Sequence, residues 1–227
     1  MPPTKKKAGL TKPGEQRPKA RMTRAEKAEH TREALFQAAA EVVGKVGYAE
    51  ASIAEITRLV GVAQGTFYRY FETRQELFDQ LLPKITVELE EYLRERVHGS
   101  KTGVEVEERS LRAFMDYVVE NRRFLRILNE AETLAPKAYR AQFKYVTKRY
   151  VASLKLSLDR GELGAYEERD LEVIAHLLMS ARSYLALRFT VTNNTVRPPP
   201  EYVIKAYMRF VSAGLGAPPL STERKKP

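Results

Sequence analysis

SIAEITRLVGVAQGTFYRYF, residues 52 to 71, decides how this chain folds, because it contains two short helical patterns separated by a glycine. Ser52 and Glu55 have the spacing of a capping box, in which a hydroxyl and a carboxylate each bind a free backbone N–H at a helix start. Apolar residues then recur at helical spacing until Gly61, a residue type that accepts the positive φ of a helix-ending turn. The stretch therefore predicts a helix that begins after Ser52 and ends at Gly61.

The second half of the stretch predicts another short helix, from about Ala63 to Tyr70. Its outward side carries an amide, an unobstructed backbone, a phenol and a guanidinium, on Gln64, Gly65, Tyr68 and Arg69. Amides and guanidinium groups read base edges in the DNA major groove, and phenols bind phosphate. Two helices around a glycine turn form a helix-turn-helix. The alternative is an ordinary helical hairpin with an aromatic core and a solvated charged face.

At these residues the chain resembles the amino-terminal domain of TetR-family transcription regulators, over about residues 29 to 89. The match rests on aligned, gap-free positions: Thr31, Arg32, Leu35, Ala38, Ala39, Gly47, Tyr48, Ile56, Gly61, Val62, Gly65, Thr66, Tyr68, Tyr70, Phe71, Arg74 and Leu77. The resemblance implies an all-α homodimer with an amino-terminal three-helix DNA-binding domain. It also implies a larger carboxy-terminal helical domain that binds a small effector and dimerises. Residues 90 to 227 match the family only in general character.

The DNA contacts expected from the pattern and the resemblance fall on the first four helical segments. Gln64 and Gly65 are expected at bases, Arg69 at a base or a phosphate, and most of the others at phosphates. The full set is Thr31, Arg32, Ser52, Arg58, Gln64, Gly65, Thr66, Tyr68, Arg69, Tyr70 and Arg74. For Thr31 and Arg32, solvated surface is the alternative.

Three positions depart from the family pattern. Ala51 stands where threonine is usual, Thr57 where alanine is usual, and Ala63 where serine or threonine opens the second helix of the motif. The missing hydroxyl at Ala63 removes a helix cap of about 1 kcal/mol and one phosphate contact. These departures bear on single contacts and leave the domain prediction intact.

The net charge of +10 is concentrated at the two ends of the 227-residue chain. Residues 1 to 24 carry eight Lys and Arg against one Glu, and residues 223 to 226 carry three against one, so the remainder is nearly neutral. The composition of residues 1 to 22 and 218 to 227 predicts disordered tails. The first tail is interpreted either as a DNA-binding arm or as a solubilising leader.

Several functional classes have no support in the composition. The chain has no cysteine, so disulfides and thiolate metal sites are excluded, which fits a cytoplasmic protein. No apolar run approaches the ~18 residues of a membrane span, and the basic start lacks the apolar segment of a signal peptide. No phosphate loop, nucleophile elbow or metal-ligand spacing is present, so neither an enzyme nor a cofactor or metal site is expected. Glu107 and Glu108 are interpreted as solvated helix surface.

Capping boxes at Thr23 with Glu26 and at Thr73 with Glu76 predict helices from about residue 24 to Val46 and from residue 74 to about Val97. Pro83 predicts a bend in the second of these. The predicted DNA-binding domain covers residues 23–89 and the effector-binding and dimerisation domain residues 90–217, with a hinge at residues 98–103. Further helices are expected at about 104–120, 122–132, 136–160, 168–191 and 200–214, with no segment of strand periodicity, so the predicted fold class is all-α.

The last two predicted helices have wide apolar faces, as expected of helices buried on several sides. The family's dimer interface is built from these helices, which assigns Leu178, Leu185, Phe189, Tyr207 and Phe210 to it. An effector site is expected among aromatic and polar residues of the same domain, namely Phe114, Tyr117, Phe124, Tyr145, His176 and Tyr184. Each of these fits an ordinary core residue equally well. Arg182 is interpreted as a contact for an effector carboxylate or as half of an intersubunit ion pair.

The function expected from the sequence is a repressor that binds a pseudo-palindromic operator in double-stranded DNA as a homodimer. Its release by a small, largely apolar effector of elongated shape is expected by analogy with the family. Two alternatives stay open: a DNA-coating protein indifferent to sequence, and a helical interaction protein that does not bind DNA.

Overall fold

The computed structural model describes residues 22–192 and 195–216, and in these two ranges the fold is all-α, as predicted. Its α-helices are α1 (Arg24–Val46), α2 (Ile53–Val60), α3 (Gln64–Phe67), α4 (Arg74–Val97), α5 (Gly103–Glu120), α6 (Phe124–Leu134), α7 (Pro136–Asp159), α8 (Leu171–Leu185) and α9 (Glu201–Leu215). The predicted tail at 218–227, and the predicted tail at 1–22 apart from Met22, lie outside the described residues.

Two short features complete the architecture. A single 3₁₀ turn precedes α8, and a π-helical turn, Ala186–Thr190, follows it. The chain then forms a minimal antiparallel ribbon of β1 (Val191–Thr192) and β2 (Thr195–Val196), with Val191 opposite Val196. Two-residue strands are too short to give a period-two pattern, so the sequence did not predict this ribbon.

Local capping explains where the amino-terminal helices begin. The Thr23 hydroxyl accepts a hydrogen bond from the Glu26 N–H at 3.2 Å, and the Glu26 carboxylate accepts one from the Thr23 N–H at 2.7 Å, which completes the predicted box. At α4 the Thr73 hydroxyl caps the Glu76 N–H at 3.0 Å. The Glu76 carboxylate, however, accepts from the N–H of Glu72 at 2.6 Å, so the reciprocal bond is displaced by one residue.

The core consists of two clusters of buried apolar side chains. The amino-terminal cluster joins α1 to α4 and also takes in four residues from α6, the start of α7 and the position between them: Ile127, Ala131, Ala135 and Ala138. The carboxy-terminal cluster joins α4, α5, α6, α7, α8 and α9. Leu81 and Leu82 of α4 belong to the first cluster, whereas Leu89 and Leu93 belong to the second. The helix α4 therefore connects both cores, and it is continuous through Pro83.

The packing shows that the predicted domains, residues 23–89 and 90–217, share one cluster of buried side chains. Because α6 contributes to the amino-terminal cluster, the two parts of the chain share side chains rather than meeting only at α4. Within the part of the chain that the structure describes, no helix combines the length and hydropathy required to cross a lipid bilayer.

Candidate functional site

The helix-turn-helix is held by a small aromatic core. Ile56 of α2, Phe67 of α3 and Phe71 are each at most 1% exposed. Phe67 and Phe71 lie with ring centroids 5.4 Å apart. Between the helices, Gly61 adopts the left-handed conformation with φ 76° and ψ 31°, which a residue with a Cβ adopts at a cost. The aromatic anchors and this turn fix the direction of α3.

The helix α3 is shorter than the sequence predicted. It covers Gln64–Phe67 instead of reaching Tyr70, and Ala63 at its start provides no side-chain cap. Beyond Phe67 the backbone tightens into three-residue turns: the Arg69 N–H donates to the Thr66 carbonyl at 3.2 Å, and the Tyr70 N–H to the Phe67 carbonyl at 2.9 Å. Without a cap, and with Phe67 and Phe71 both drawn into the core, this tight turn replaces a longer α-helix.

A polar row faces away from this core. Gln64, Gly65, Tyr68 and Arg69 are exposed, and Thr66 and Tyr70 are half-buried. The open space around Gly65 contains no heavy atom within 4 Å of an added Cβ. The row therefore presents the amide, open backbone, phenol and guanidinium that were expected on one surface.

Two of the predicted phosphate contacts are already bound within the protein. The Arg32 guanidinium donates to the Gln80 side-chain oxygen at 2.7 Å and lies 5.1 Å from the Phe36 ring centroid. The Arg74 guanidinium donates to the carbonyl of Ala51 at 2.8 Å. Both side chains thus join α4 to the elements before it, a role that the sequence prediction did not include.

The remaining amino-terminal candidates have local roles. The Thr31 hydroxyl donates to the Lys27 carbonyl at 2.8 Å. Ser52 caps α2 by accepting from the Glu55 N–H at 3.2 Å. Arg58 is exposed and lies 3.9 Å from the Glu55 carboxylate, a loose surface pair that leaves its guanidinium accessible.

A second site lies in the carboxy-terminal half, in a cavity of about 170 Å³ between α4, α5, α7 and α8. We call it the Arg182 cavity. Its apolar wall includes Leu93, Val97, Val146, Leu154 and Leu178, and its polar end includes Glu107, Tyr150 and Arg182. Glu107 and Arg182 are each only 6% exposed. A buried ion pair at one end of an apolar cavity is the strongest chemical feature of this half of the chain.

The polar end is a connected network centred on Glu107. Its carboxylate accepts a hydrogen bond from the Tyr207 hydroxyl at 2.6 Å and a second one from the Tyr150 hydroxyl. Arg182 lies 3.4 Å from both carboxylate oxygens and donates to the Tyr150 oxygen. The Nε of Arg182 is buried without a hydrogen-bond partner.

The charge states of this network follow from its surroundings. Burial raises the pKa of Tyr150 well above its ordinary value, and the Glu107 carboxylate raises it further against the opposing effect of Arg182, so the phenol stays protonated. Burial alone lowers the pKa of Arg182, but the neighbouring oxygens of Tyr150 and Glu107 raise it by more. The guanidinium therefore remains charged inside the protein.

The interpretation of Glu107 as solvated surface was wrong. Glu107 shares a helical face with Leu111, Phe114 and Val118, all of them buried, so the α5 periodicity places it inward. That spacing was present in the sequence, and the adjacent Glu108 concealed it. Glu108 does lie at the surface, where it pairs with Arg112 at 2.9 Å.

The six predicted effector residues do not converge on one cavity among the described residues. Phe114 is a buried core residue whose ring lies 5.7 Å below the Arg182 guanidinium. Tyr117 and Phe124 pack edge to face at 5.4 Å and line a wider cavity of about 700 Å³ between the two clusters. His176 stacks on Phe143 at 5.1 Å. The last two, Tyr145 and Tyr184, are exposed.

Both α8 and α9 carry exposed apolar side chains. Leu177 is 65% exposed and Phe210 is 80% exposed. Their exposed apolar neighbours on the same helices are Val173, Tyr184 and Tyr202. We call these five residues the α8–α9 face. Two residues that the sequence assigned to a dimer interface lie elsewhere: Leu178 lines the Arg182 cavity, and the Tyr207 hydroxyl binds Glu107, so both belong to the protomer's own core. Leu185 and Phe189 are half-buried.

Comparisons with known proteins agree with the amino-terminal geometry. Residues 35–81 match the model of bacterial regulatory proteins of the tetR family. The chain is also similar to the uncharacterized HTH-type transcriptional regulator YvdT of Bacillus subtilis (strain 168), with 35% identity over 69 residues. That alignment covers 30% of this chain and 36% of YvdT, so it spans about a third of the relative's length.

Solved structures match over most of the chain. The fatty acid degradation regulator FadR from Bacillus halodurans has a TM-score of 0.64 at 17% identity, covering 82% of this chain and 95% of its own. FadR from Bacillus subtilis, solved in complex with stearoyl-CoA, has a TM-score of 0.65 at 15% identity, covering 80% and 98%. At these identities the likeness shows a shared fold.

Proposed function

We propose that this chain, whose residues 35–81 match the tetR family of bacterial regulatory proteins, is a member of that family and a cytoplasmic transcriptional repressor that binds a pseudo-palindromic operator as a homodimer. The observation that carries this proposal is the exposed polar row of Gln64, Gly65, Tyr68 and Arg69 on a helix held by buried aromatics. A rigidly anchored helix with free amide, guanidinium and phenol groups suits insertion into the major groove.

The assembly proposed for the repressor is a two-fold dimer joined through the α8–α9 face. Exposed large apolar side chains such as Leu177 and Phe210 are unfavourable in water, and burial against a second copy removes that cost. A two-fold dimer places its two recognition helices at successive major grooves, ~34 to 36 Å apart along one side of the duplex. This spacing accounts for the expected inverted repeat.

The effector is proposed to bind in the Arg182 cavity. The helix α4 lines that cavity with Leu93 and Val97, and its other end carries Leu77 and Phe78 into the core of the DNA-binding domain. A ligand that displaces the cavity end of α4 therefore shifts the helix-turn-helix, which changes the separation of the two recognition helices in the dimer. Operator affinity falls when that separation no longer matches the DNA.

The test is selection from a random duplex library with the purified protein at near-physiological salt, followed by sequencing of the retained duplexes. We expect an enriched inverted repeat whose half-sites lie about one helical turn apart. Tight binding without enrichment would instead support a DNA-coating protein, since non-specific binding depends on phosphates alone. Absence of binding would contradict both.

A further inference from the structure

The Arg182 cavity has an unmet hydrogen-bonding requirement of a definite kind. Both oxygens of Glu107 are occupied, one by Tyr207 and the other by Tyr150. In contrast, the Arg182 Nε–H is buried without a partner, and a guanidinium nitrogen is only ever a donor. An unpaired buried donor is costly, so a ligand that completes this network has to supply an acceptor.

We propose that the Arg182 cavity binds a small organic carboxylate, with its carboxylate on Arg182 and a single ring or short branched chain in the apolar part. This inference rests on the proposed function, because it names the chemical class of the effector. The next three observations support it.

The existing ion pair leaves the guanidinium available. Arg182 Nη2 lies 3.4 Å from each oxygen of Glu107, at the outer limit of hydrogen bonding. A paired Arg and carboxylate normally meet at about 2.7–2.9 Å through two parallel bonds. Since Glu107 does not use that geometry, a ligand carboxylate can make the shorter, two-pronged contact.

The occupied oxygens of Glu107 argue against a cationic ligand. A cationic ligand at Glu107 would lie beside the Arg182 guanidinium, which is 3.4 Å from both carboxylate oxygens and repels a second positive charge. If that ligand also displaced Tyr150 or Tyr207 from those oxygens, it would leave a buried hydroxyl unpaired, which costs free energy. A ligand anion, by contrast, adds bonds to Arg182 and displaces no phenol.

The dimensions and lining of the cavity set the apolar part of the ligand. The volume is about 170 Å³, and a dry engineered cavity of about 150 Å³ binds benzene. Leucine and valine side chains, including Leu93, Val146 and Leu154, form the apolar part of the lining, which also contains the charged residues Glu90, Arg94, Arg149 and Glu162. One aromatic ring fits this space.

The experiment is isothermal titration calorimetry on the full chain, with benzoate and its uncharged analogue benzamide as the probes. We expect benzoate to bind saturably and at least about tenfold more tightly than benzamide, because a charge-assisted pair is stronger than a neutral hydrogen bond. Equal affinities for the two, or no binding of benzoate, would overturn the proposal.

Substitutions within the network test the role of Arg182. Glu107→Gln removes the competing negative charge, so benzoate binding should tighten by a few fold while benzamide binding stays the same. If the cavity bound a cation at Glu107 instead, that ligand would bind less tightly to this variant. The double variant Glu107→Gln with Arg182→Met leaves no buried charge unpaired and should lose benzoate binding. Circular dichroism checks that each variant is folded.

A cavity-filling variant locates the ligand without touching the network. Ser153→Leu replaces a hydroxyl with an isobutyl side chain in the wall of the cavity, a net gain of two heavy atoms, whereas Ala152→Leu adds three heavy atoms at the exposed neighbouring position. The first should abolish benzoate binding, and the second should leave it unchanged. Benzoate binding that survives in Ser153→Leu would overturn the assignment to this cavity.

The operator assay separates this inference from the proposed function. If benzoate binds as expected while the random-duplex selection yields no inverted repeat, the site stands and the regulator function fails. If the protein selects an inverted repeat and is released by stearoyl-CoA but does not bind benzoate, the regulator function stands and the small-carboxylate site is overturned.

Discussion

The Glu130 carboxylate on α6 accepts a hydrogen bond from the backbone N–H of Tyr48 at 2.9 Å, in the loop that follows α1. The same carboxylate pairs with Arg126 at 2.7 Å, and Arg126 donates to the Lys45 carbonyl at 2.6 Å. Gly47 permits this approach, because an added Cβ would lie 2.7 Å from a Glu130 oxygen. Two side chains of α6 therefore cap the end of α1 and connect the carboxy-terminal half to the DNA-binding domain.

Replacement of Glu130 by Gln should weaken this connection. The amide keeps an acceptor for Tyr48 but loses the ion pair with Arg126, so we expect a loss of about 1 kcal/mol in the free energy of unfolding. The proposed release of the operator by effector should become incomplete, since α6 no longer follows α1 rigidly. Urea denaturation and operator titrations with and without effector measure the two effects. Unchanged release would show that α4 alone transmits the signal.

The same carboxylate gives a pH dependence with a definite sign. Burial raises the pKa of Glu130, but the hydrogen bonds from Arg126 and from the Tyr48 N–H lower it by more, so its pKa lies below the ordinary value. Its contribution to stability is therefore complete above the ordinary carboxyl pKa, and it is lost as the pH falls through the lowered one. The difference in unfolding free energy between wild type and Glu130→Gln should shrink on acidification over that range. A constant difference would contradict this assignment.

Arg69→Ala and Arg74→Ala should differ in their effect on the stability of the fold. Arg69 is exposed on the polar row, so Arg69→Ala should weaken operator binding and leave the stability of the fold unchanged. If the lost contact is to a phosphate, the slope of log affinity against log salt concentration should become shallower by about 0.9. Arg74 donates to the Ala51 carbonyl, so Arg74→Ala should also destabilise the fold by about 1 kcal/mol. Arg140→Ala, exposed on α7, matches the charge change away from the motif. Equal melting temperatures for the Arg74 and Arg69 variants would contradict the structural role.

Residues whose partners lie nearby in sequence were predicted most accurately. The helix α1 runs from Arg24 to Val46 as expected, because the hydroxyl of Thr23 and the glycine at 47 act on adjacent backbone groups. Arg32 and Arg74 were different, since their partners are a side chain 48 positions away and a carbonyl 23 positions away. The family resemblance and the positive charge predicted DNA contacts for both, and only the tertiary packing shows that they are bound within the protein.

The Arg182 cavity was beyond prediction for a related reason. Its polar end joins side chains from α5, α7, α8 and α9, with 100 positions between Tyr207 and Glu107. No periodicity within one helix specifies which residues of another helix it meets. The sequence did single out Arg182 as a contact for a carboxylate, and it did not anticipate that Glu107 would be the carboxylate beside it.

The buried pair of Glu107 and Arg182 makes a prediction about stability that is independent of any ligand. Arg182→Met should cost about 3–5 kcal/mol in the free energy of unfolding, because it leaves a buried carboxylate without its counter-charge. Adding Glu107→Gln to that variant should recover a large part of the loss. Urea denaturation of the wild type, both single variants and the double variant gives the double-mutant cycle from which the interaction energy is calculated. Additive losses would mean that the two side chains do not interact.

The α8–α9 face makes a prediction about oligomeric state. Leu177→Glu places a charge in the centre of the proposed interface and should convert the dimer to a monomer in sedimentation velocity, with weaker operator binding. Leu156 on α7 provides the matched control, because it is 60% exposed against 65% for Leu177. Leu156→Glu should leave the dimer intact. A monomeric wild-type protein, or a dimeric Leu177→Glu variant, would rule out this interface.

The absence of a cap on α3 allows a gain of function to be tested. Ala63 is exposed and already has the extended backbone of a capping residue, with φ −68° and ψ 151°, close to the φ −64° and ψ 166° of Thr23, which caps α1. A hydroxyl at this position can therefore accept a free N–H of α3 without rearrangement, which is worth about 1 kcal/mol. Ala63→Thr should raise both the melting temperature and the affinity for the selected duplex. Ala63→Val has nearly the same shape but no acceptor, so it should raise neither, and an equal gain in both variants would attribute the effect to bulk rather than to capping.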